Sequence, residues 1–475
     1  GAVVTQQSFT FPVKMYIYPK FPNSFMRNKR LFHTLVFLLM LVLAGAAHSP
    51  VSGQKGVKLA GGMTLVPRDT SGIPADGIGA YATGEYRNLF AENNHSEEQI
   101  ARRTREAYEK LFHGDTLTEA VMFPVGENEN GPLAYIRDVL HNDVRSEGMS
   151  YGMMIAVQMD RKVDFDALWN WAVTHMYVSD PAHPCEGYFL RQLRHDGTSI
   201  SEIPAPDGEE YMVTALYFAH NRWGSSEGIY GYKAWADKIL TAMRHRATKS
   251  GPTKSGLCTV HAMVNEEHKM IRFSPDFREG NDFTDPSYHL PAFYELWARW
   301  GPEADREFWA SAAEASRDFF VKASDTFTGL SSDYAHFDGK PVKESSNPNA
   351  SNFGWDSWRT PSNWAVDYAW WGKDSRQKEL SNRIQAFFFR QELDSYGSIY
   401  SPDGKLVNPD YRPGLAATLA VTSLAATHYI APEFVEALWK TPLPLDPGQR
   451  YYDGLLYMMS WLHCSGNFRI WTQSQ

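Results

Sequence analysis

Two carboxylic acids lie in short motifs whose neighbours suit them to acid–base chemistry. Glu147 follows Ser146 at the expected start of a helix, and an apolar run begins at Met153. Asp356 lies among aromatic residues, three positions before Arg359. Apolar surroundings favour the protonated form of a carboxyl, whereas a nearby arginine favours the ionised form. The first environment therefore suits a general acid, and the second suits a general base or a nucleophile.

A third acid, Asp207, lies in the segment APDGEEY at a loop–helix junction. Each of the three acids also has an ordinary structural explanation. Glu147 and Asp207 stand where carboxylates commonly cap a helix or face its dipole. Asp356 is spaced to form an ion pair with Arg359. Taken together, the motifs indicate a pair of carboxyls of the kind that glycoside hydrolysis needs, one to protonate the leaving oxygen and one to attack or to activate water.

The elements that must position these acids are helices, because apolar residues recur at helical spacing from about residue 97 onward. We predict about twelve helices, starting near residues 97, 146, 162, 209, 226, 287, 302, 362, 374, 414, 431 and 450. Long segments rich in Gly, Pro, Asp and aromatic residues separate some of them, at 180–208, 247–286, 324–361 and 393–413. Periodicity alone predicts a large all-α domain. The alternation of short and long connections suggests six helical hairpins in a ring, with the long loops forming a cleft at one end.

The N-terminal residues are excluded from this fold. Residues 26–47 contain basic residues, then the apolar run from Leu31 to Leu43, then small residues, which is the pattern of a cleavable secretory signal peptide. A transmembrane anchor is the alternative, but the apolar run is short for one. We expect Met26 to be the natural start and residues 1–25 to lie upstream of it.

The expected domain organisation follows from this assignment. Residues 1–47 combine the upstream segment with the signal peptide, residues 48–95 form an extended lead-in, and residues 96–475 form a single catalytic domain. Cleavage of the signal would yield a secreted or periplasmic protein without a membrane association.

Composition narrows the expected partners. The chain of 475 residues has a formal net charge of −9 and no basic stripe, which argues against nucleic acid. Aromatic residues make up 14% of the chain, which suits stacking on sugar rings as well as a large core. The three cysteines are widely spaced and odd in number, which predicts buried thiols. We expect a monomer, with neither a metal nor a cofactor in catalysis.

Five ordered motifs resemble those of glycoside hydrolase family 8. They are SEGMSYGMM, APDGEEY, FTDPSYHLPAFYELW, WDSWRTP and YYDGLLYMMSWLHCSGNFRIW. The resemblance covers the chain from about residue 95 to its end. It implies an (α/α)6 barrel and an inverting mechanism, in which the two carboxyls lie roughly 6.5–9.5 Å apart with water between them.

The resemblance also implies roles for particular residues. Glu147 matches the general acid, which should be protonated at the working pH, and Asp356 matches the general base, which should be ionised. Asp207 matches a carboxylate that holds the distorted sugar at the point of cleavage. Tyr288 matches a tyrosine that helps to position the catalytic water. Further residues expected to line the substrate subsites are Trp355, Arg359 and Tyr452.

Two departures from the family pattern bear on the substrate. Cellulases and chitosanases of the family usually carry Ala-Ser/Thr-Asp-Ala/Gly-Asp around the second acid, and Pro206 and Glu209 replace two of those positions here. The form APDGEEY resembles the branch that acts on xylan and β-1,4-xylo-oligosaccharides. Arg191 stands where xylan-acting relatives tend to have a tryptophan that stacks on a glycone sugar. It could lie over a sugar face or meet an acidic substituent.

Two activities fit the xylan-acting branch. An endo-xylanase has an open cleft, whereas a reducing-end xylose-releasing exo-oligoxylanase has a loop that closes the cleft past the +1 sugar. The motifs resemble the exo-acting type more closely. We expect the blocking loop within 400–413, where Tyr411, Arg412 and Pro413 supply a kink with a different blocking side chain. A cellulase, a chitosanase and a non-catalytic carbohydrate-binding protein are weaker alternatives.

Overall fold

The structure is a computed structural model that describes residues 72–344 and 346–473, together with the strands Val57–Lys58 and Thr64–Leu65. The expected signal peptide at 26–47 lies outside the described residues.

The chain divides into two compact units. Residues 1–67 form the first, in which the two short strands pair antiparallel. Residues 68–475 form the second, which contains every residue of the three acidic motifs.

Twelve long helices form the framework of the described part of the second unit. They are α1 Glu97–His113, α2 Ser146–Gln158, α3 Lys162–Trp171, α4 Pro206–Trp223, α5 Tyr232–His245, α6 Pro291–Trp300, α7 Arg306–Ala323, α8 Thr360–Trp371, α9 Arg376–Phe389, α10 Pro413–Val421, α11 Ala431–Lys440 and α12 Tyr452–Cys464. Each matches a predicted segment. The largest difference is at α5, which begins six residues late because the Gly-rich stretch before it forms turns and the short 3₁₀ helix Gly228–Tyr230.

Six of these helices form a closed inner ring. In order they are α2, α4, α6, α8, α10 and α12, and each packs on the next, with α12 packing on α2. Most residues of these helices are buried, as expected for helices enclosed by others. The helices α3, α5, α7, α9 and α11 each pack outside the inner helix that precedes them, and α1 packs on α12. This arrangement is the (α/α)6 barrel that the motifs imply.

Proline marks the start of four inner helices. It stands in the first turn of α4, α6, α8 and α10, at Pro206, Pro291, Pro361 and Pro413. At these positions the fixed φ of proline suits the helix, and its missing N–H is not needed. The long loops therefore end, and the inner helices begin, at positions set by the sequence.

A five-stranded antiparallel sheet accompanies the barrel, and the sequence patterns did not indicate it. Its strands are β1 Met122–Asn128, β2 Gly131–Asp138, β3 Asp143–Arg145, β4 Gln192–Leu193 and β5 Ser199–Ser201, paired in chain order. β3 leads directly into α2, and the Ser146 N–H donates to the Arg191 carbonyl at 3.0 Å. The sheet thus ties the first acidic motif to the segment that carries Arg191.

The segment expected as an extended lead-in is partly helical. Residues Ala80–Thr83 and Leu89–Glu92 form short helices, and the side chains of Leu89 and Phe90 are buried in the main core. The Phe90 ring contacts the ring of Trp461 in α12, with centroids 4.4 Å apart. The expectation of an extended segment is therefore wrong for residues 80–83 and 89–92, because the apolar side chains there cover the barrel.

The described residues contain no helix long and apolar enough to cross a membrane. The same residues contain no cluster of His, Cys, Asp and Glu that could hold a metal ion. The three cysteines are buried free thiols, as their spacing predicts.

Candidate active site

The N-terminal ends of the six inner helices meet at a cleft of about 480 Å³, a size typical of ligand sites. Each inner helix contributes a lining residue from within four positions of its start. These residues are Glu147, Asp207, Tyr288, Asp356, Arg412 and Tyr452. Helix N-termini carry partial positive charge, which favours carboxylates placed beside them.

The structure brings the residues predicted from the sequence to this one cleft. Besides those six, Trp355 and Arg191 line it, and Arg359 contacts the acids from a buried position. Their individual roles stay predictions, since proximity alone does not assign them.

Arg359 joins all three acids. Its Nη1 donates to Asp207 Oδ2 at 2.9 Å and lies 3.4 Å from Glu147 Oε2, while its Nη2 donates to Asp356 Oδ1 at 3.1 Å. Because one guanidinium makes these contacts, the bonded oxygens of Glu147 and Asp356 are at most about 9 Å apart. This limit includes both the roughly 6.5–9.5 Å of inverting enzymes and the roughly 5–5.5 Å of retaining enzymes, so the inverting mechanism stays a prediction.

Two residues that were not predicted from the sequence complete the partners of Arg359. Its Nη1 donates to the Tyr151 hydroxyl at 2.6 Å, and its Nη2 donates to Ser287 Oγ at 2.8 Å. Tyr151 lies one helical turn after Glu147, so helical spacing in the motif SEGMSYGMM could have revealed it. Ser287 directly precedes Tyr288, in a segment that the sequence analysis had already singled out.

Glu147 has the environment of a carboxyl that holds its proton. Burial, and then the charge of Asp207, raise its pKa to about 7, although Arg359 acts in the opposite direction. The Tyr451 hydroxyl donates to Glu147 Oε1 at 3.1 Å. A carboxyl with this pKa is partly protonated at neutral pH, which is the state that a general acid requires.

The start of α2 is shaped around Tyr451. A Cβ at Gly148 would lie 2.5 Å from the Tyr451 ring, so only glycine allows this close approach. Ser146 is the first helical residue, and Arg145 precedes it without a side-chain cap. The first turn of α2 is therefore arranged for the site rather than for capping.

Asp207 is the most deeply buried of the three acids. It lies in the first turn of α4, behind Pro206, where its Oδ1 accepts a hydrogen bond from the Gly208 N–H at 3.0 Å and its Oδ2 pairs with Arg359. Burial raises its pKa, and the charge of Arg359 opposes this rise. Asp207 is therefore not the N-cap residue of α4, a position that Ala205 occupies, although its carboxylate bonds one N–H of the first turn.

Asp356 is the most open of the three acids. Its side chain is 28% exposed, against 18% for Glu147 and 5% for Asp207. It lies on a turn before α8 rather than in a helix. A carboxyl in this position can reach a water molecule in the cleft and still be paired with Arg359.

One wall of the cleft is built from Trp355, Arg412 and Tyr452. The Tyr452 hydroxyl donates to the Trp355 carbonyl at 2.7 Å, and the Arg412 guanidinium lies 4.6 Å from the centre of the Trp355 ring. Arg412 also forms an ion pair with Asp453, which holds it in place. Arg191, in contrast, has an exposed side chain.

Comparisons with known proteins identify the family of this chain. The sequence pattern of Glycosyl hydrolases family 8 matches residues 136–465. A reducing-end xylose-releasing exo-oligoxylanase from Paenibacillus barcinonensis is 43% identical over 397 residues, which are 83% of this chain and 99% of that protein.

Two solved structures from Teredinibacter turnerae are similar over 83% of this chain and 100% of theirs. One is a family 8 protein in complex with xylobiose, with 52% identity and a TM-score of 0.81. The other is a catalytic mutant, described as a xylanase, in complex with xylohexaose, with 51% identity and a TM-score of 0.81. The chain therefore belongs to glycoside hydrolase family 8.

Proposed function

We propose that this protein is an inverting hydrolase of β-1,4-xylo-oligosaccharides that releases xylose from the reducing end. The observation that carries the proposal is the single guanidinium of Arg359, which gathers Glu147, Asp207 and Asp356 at the cleft. The substrate class is supported by the exo-oligoxylanase relative and by the xylobiose and xylohexaose bound to the similar structures.

Each acid has one step in this mechanism. Glu147 gives its proton to the glycosidic oxygen, so that the leaving sugar departs as a neutral alcohol. Asp356 takes a proton from a water molecule, whose oxygen attacks the anomeric carbon from the opposite face. Asp207 and Arg359 bind the sugar at the point of cleavage, and the new reducing end has the α-configuration.

Release of one xylose requires a barrier past the +1 sugar. Arg412 directly precedes α10 and is held between Trp355 and Asp453, so it stands as a fixed side chain in the wall of the cleft. We propose that Arg412 forms this barrier, whereas Tyr411, expected beside it, packs against Tyr396 and does not line the cleft.

An endo-xylanase is the second candidate. It is favoured by the similarity to the structure described as a xylanase, which is higher than the similarity to the exo-oligoxylanase. In that case Arg412 would border an open cleft and leave room for sugars beyond +1.

Proton NMR of fresh xylohexaose digestion separates the two. Xylose and xylopentaose as first products, with α-configured new reducing ends, support the exo-acting inverting enzyme. A mixture of xylobiose, xylotriose and xylotetraose would establish the endo-xylanase instead. Absence of cleavage, or full activity of Glu147→Ala, would contradict the substrate or the general acid.

We further propose that the mature protein is a monomer that acts outside the cytoplasm. The apolar run and small residues of 26–47 support export. N-terminal sequencing of protein recovered from periplasm or medium, together with light scattering, tests both statements. An uncleaved N-terminus or a dimer mass would contradict them.

A further inference from the structure

Asp333 lies buried beneath the turn that carries Asp356, and no step of the mechanism above uses it. Its Oδ1 accepts hydrogen bonds from the Ser357 N–H at 3.0 Å and from the Ser357 hydroxyl at 2.9 Å. The same hydroxyl accepts a hydrogen bond from the Gly354 N–H at 2.8 Å. Asp333 therefore ties together both ends of the four-residue turn in which Asp356 stands.

The turn fits this carboxyl closely. A Cβ at Gly354 would lie 3.2 Å from Asp333 Oδ2, which is closer than an ordinary van der Waals contact. The segment that carries Asp333 is itself anchored, because the backbone of Ala335 exchanges two hydrogen bonds of 2.9 Å with the backbone of Thr284. Thr284 begins the segment that leads to Tyr288. The segment beneath Asp356 is thus hydrogen-bonded to the segment that leads to Tyr288.

We propose that Asp333 is a positioning residue for the general base, which fixes the turn 354–357 so that Asp356 meets the catalytic water. The inference rests on the proposed function, since it assigns Asp356 that role. An apolar residue at position 333 would leave the buried Ser357 N–H without its acceptor and would leave the Ser357 hydroxyl only the Gly354 carbonyl, 3.4 Å away. A buried donor without an acceptor destabilises the local structure.

The charge state of Asp333 agrees with a supporting role. The titratable groups around it are Asp285, Tyr334, Asp356 and Tyr452, and Arg359 is the cation that pairs with Asp356. Burial and the charge of Asp356 raise the pKa of Asp333 to about 8. At neutral pH Asp333 is therefore mostly uncharged, and it supports the base without adding a second negative charge beside it.

Steady-state kinetics of Asp333→Ala and Asp333→Asn test the proposal on xylohexaose. We expect Asp333→Ala to lower kcat by about 30-fold or more, with KM within about threefold of the wild-type value, because the base moves while the sugar subsites stay intact. Asparagine keeps an acceptor oxygen and has no charge, so Asp333→Asn should recover kcat to within about threefold of wild type. Ser357→Ala, which removes only the hydroxyl link, should fall between the two.

Asp325→Ala is the matched control. Asp325 Oδ1 accepts from the N–H groups of Phe327 and Thr328 and from the Thr328 hydroxyl, so it holds a turn in the same way, but it does not line the cleft. This variant should lower the Tm and leave kcat unchanged.

Two outcomes would overturn the proposal. One is a wild-type kcat in folded Asp333→Ala, and the other is an Asp333→Asn variant that is as slow as Asp333→Ala. A wild-type protein that leaves xylohexaose intact would count against the proposed substrate alone. The same variants are then compared on the β-1,4-glucan or chitosan oligosaccharide that the wild type cleaves.

Discussion

The acid side and the base side of the cleft are held by different kinds of structure. Glu147 lies in the first turn of an inner helix that a β-strand enters directly, and the Tyr451 ring packs against this turn. Asp356 lies on a turn outside any helix, and Asp333 closes that turn by hydrogen bonds to Ser357. The acid is thus placed by backbone that is regular and local in sequence, and the base by a contact between two loops.

The two carboxyls are held differently because they have different tasks in catalysis. The acid must keep a proton near neutral pH, and burial of its carboxyl, together with the charge of Asp207, raises its pKa. The base must meet both water and the sugar, so it stays more exposed and depends on precise placement. Variants of the acid should therefore act mainly through proton affinity, and variants on the base side mainly through geometry.

The largest expected effect is the loss of the base. Asp356→Asn should lower kcat by about 10³-fold or more on every substrate, because no other described carboxyl in the cleft is as open to water. The measurement is the initial rate on xylohexaose and on 2,4-dinitrophenyl β-xylobioside. A variant that keeps a tenth of the wild-type rate on either would show that Asp356 is not the base.

Loss of the acid should be nearly as large, but it should depend on the leaving group. Glu147→Gln should lower kcat on xylohexaose by about 10³-fold, since the sugar alcohol must be protonated as it departs. Dinitrophenolate needs no proton, so the loss on 2,4-dinitrophenyl β-xylobioside should be at least ten times smaller. Equal losses of kcat on the two substrates would contradict the acid role of Glu147. Glu147→Gln and Asp356→Asn would then behave alike.

The sequence predicted the helices and the three acids, but not the residues that hold these acids in position. The twelve helices were predictable because their apolar residues repeat at helical spacing, and each acid was predictable because its motif is local. Contacts such as Asp333–Ser357 and Tyr451–Glu147 join residues 24 and 304 positions apart, and no local pattern encodes them. The sheet strands β3 to β5 have only two or three residues each, too few to show an alternation.

A smaller effect should appear in the pH dependence when Asp207 is neutralised. The negative charge of Asp207 raises the pKa of Glu147, so Asp207→Asn should lower that pKa. Glu147 must be protonated to act, and activity is lost as pH rises through its pKa. In the pH profile of kcat/KM, the basic limb is the fall in activity at high pH, which is near pH 7 in the wild type. This basic limb should therefore move to lower pH. A limb that stays in place would show that Asp207 does not influence the acid.

A smaller effect still is expected from Tyr451→Phe, and it should have the opposite sign. The Tyr451 hydroxyl donates a hydrogen bond to Glu147 and so favours its ionised form. Its removal should raise the pKa of Glu147 and move the basic limb of kcat/KM to higher pH by less than about one unit. Tyr457→Phe is a suitable control, because the hydroxyl of Tyr457 in α12 donates to the Thr441 carbonyl at the end of α11 and does not line the cleft.

Opposite displacements of the limb in Asp207→Asn and Tyr451→Phe would show that the proton affinity of Glu147 is set by its neighbours on the acid side. The same profiles for Asp333→Asn should keep the wild-type basic limb, because Asp333 acts on the placement of Asp356 and is mostly uncharged at pH 7. If Asp333→Asn displaced the basic limb as far as Asp207→Asn does, Asp333 on the base side would also influence the pKa of Glu147. The contrast between an acid that is controlled by its pKa and a base that is controlled by its position would then not hold for this site.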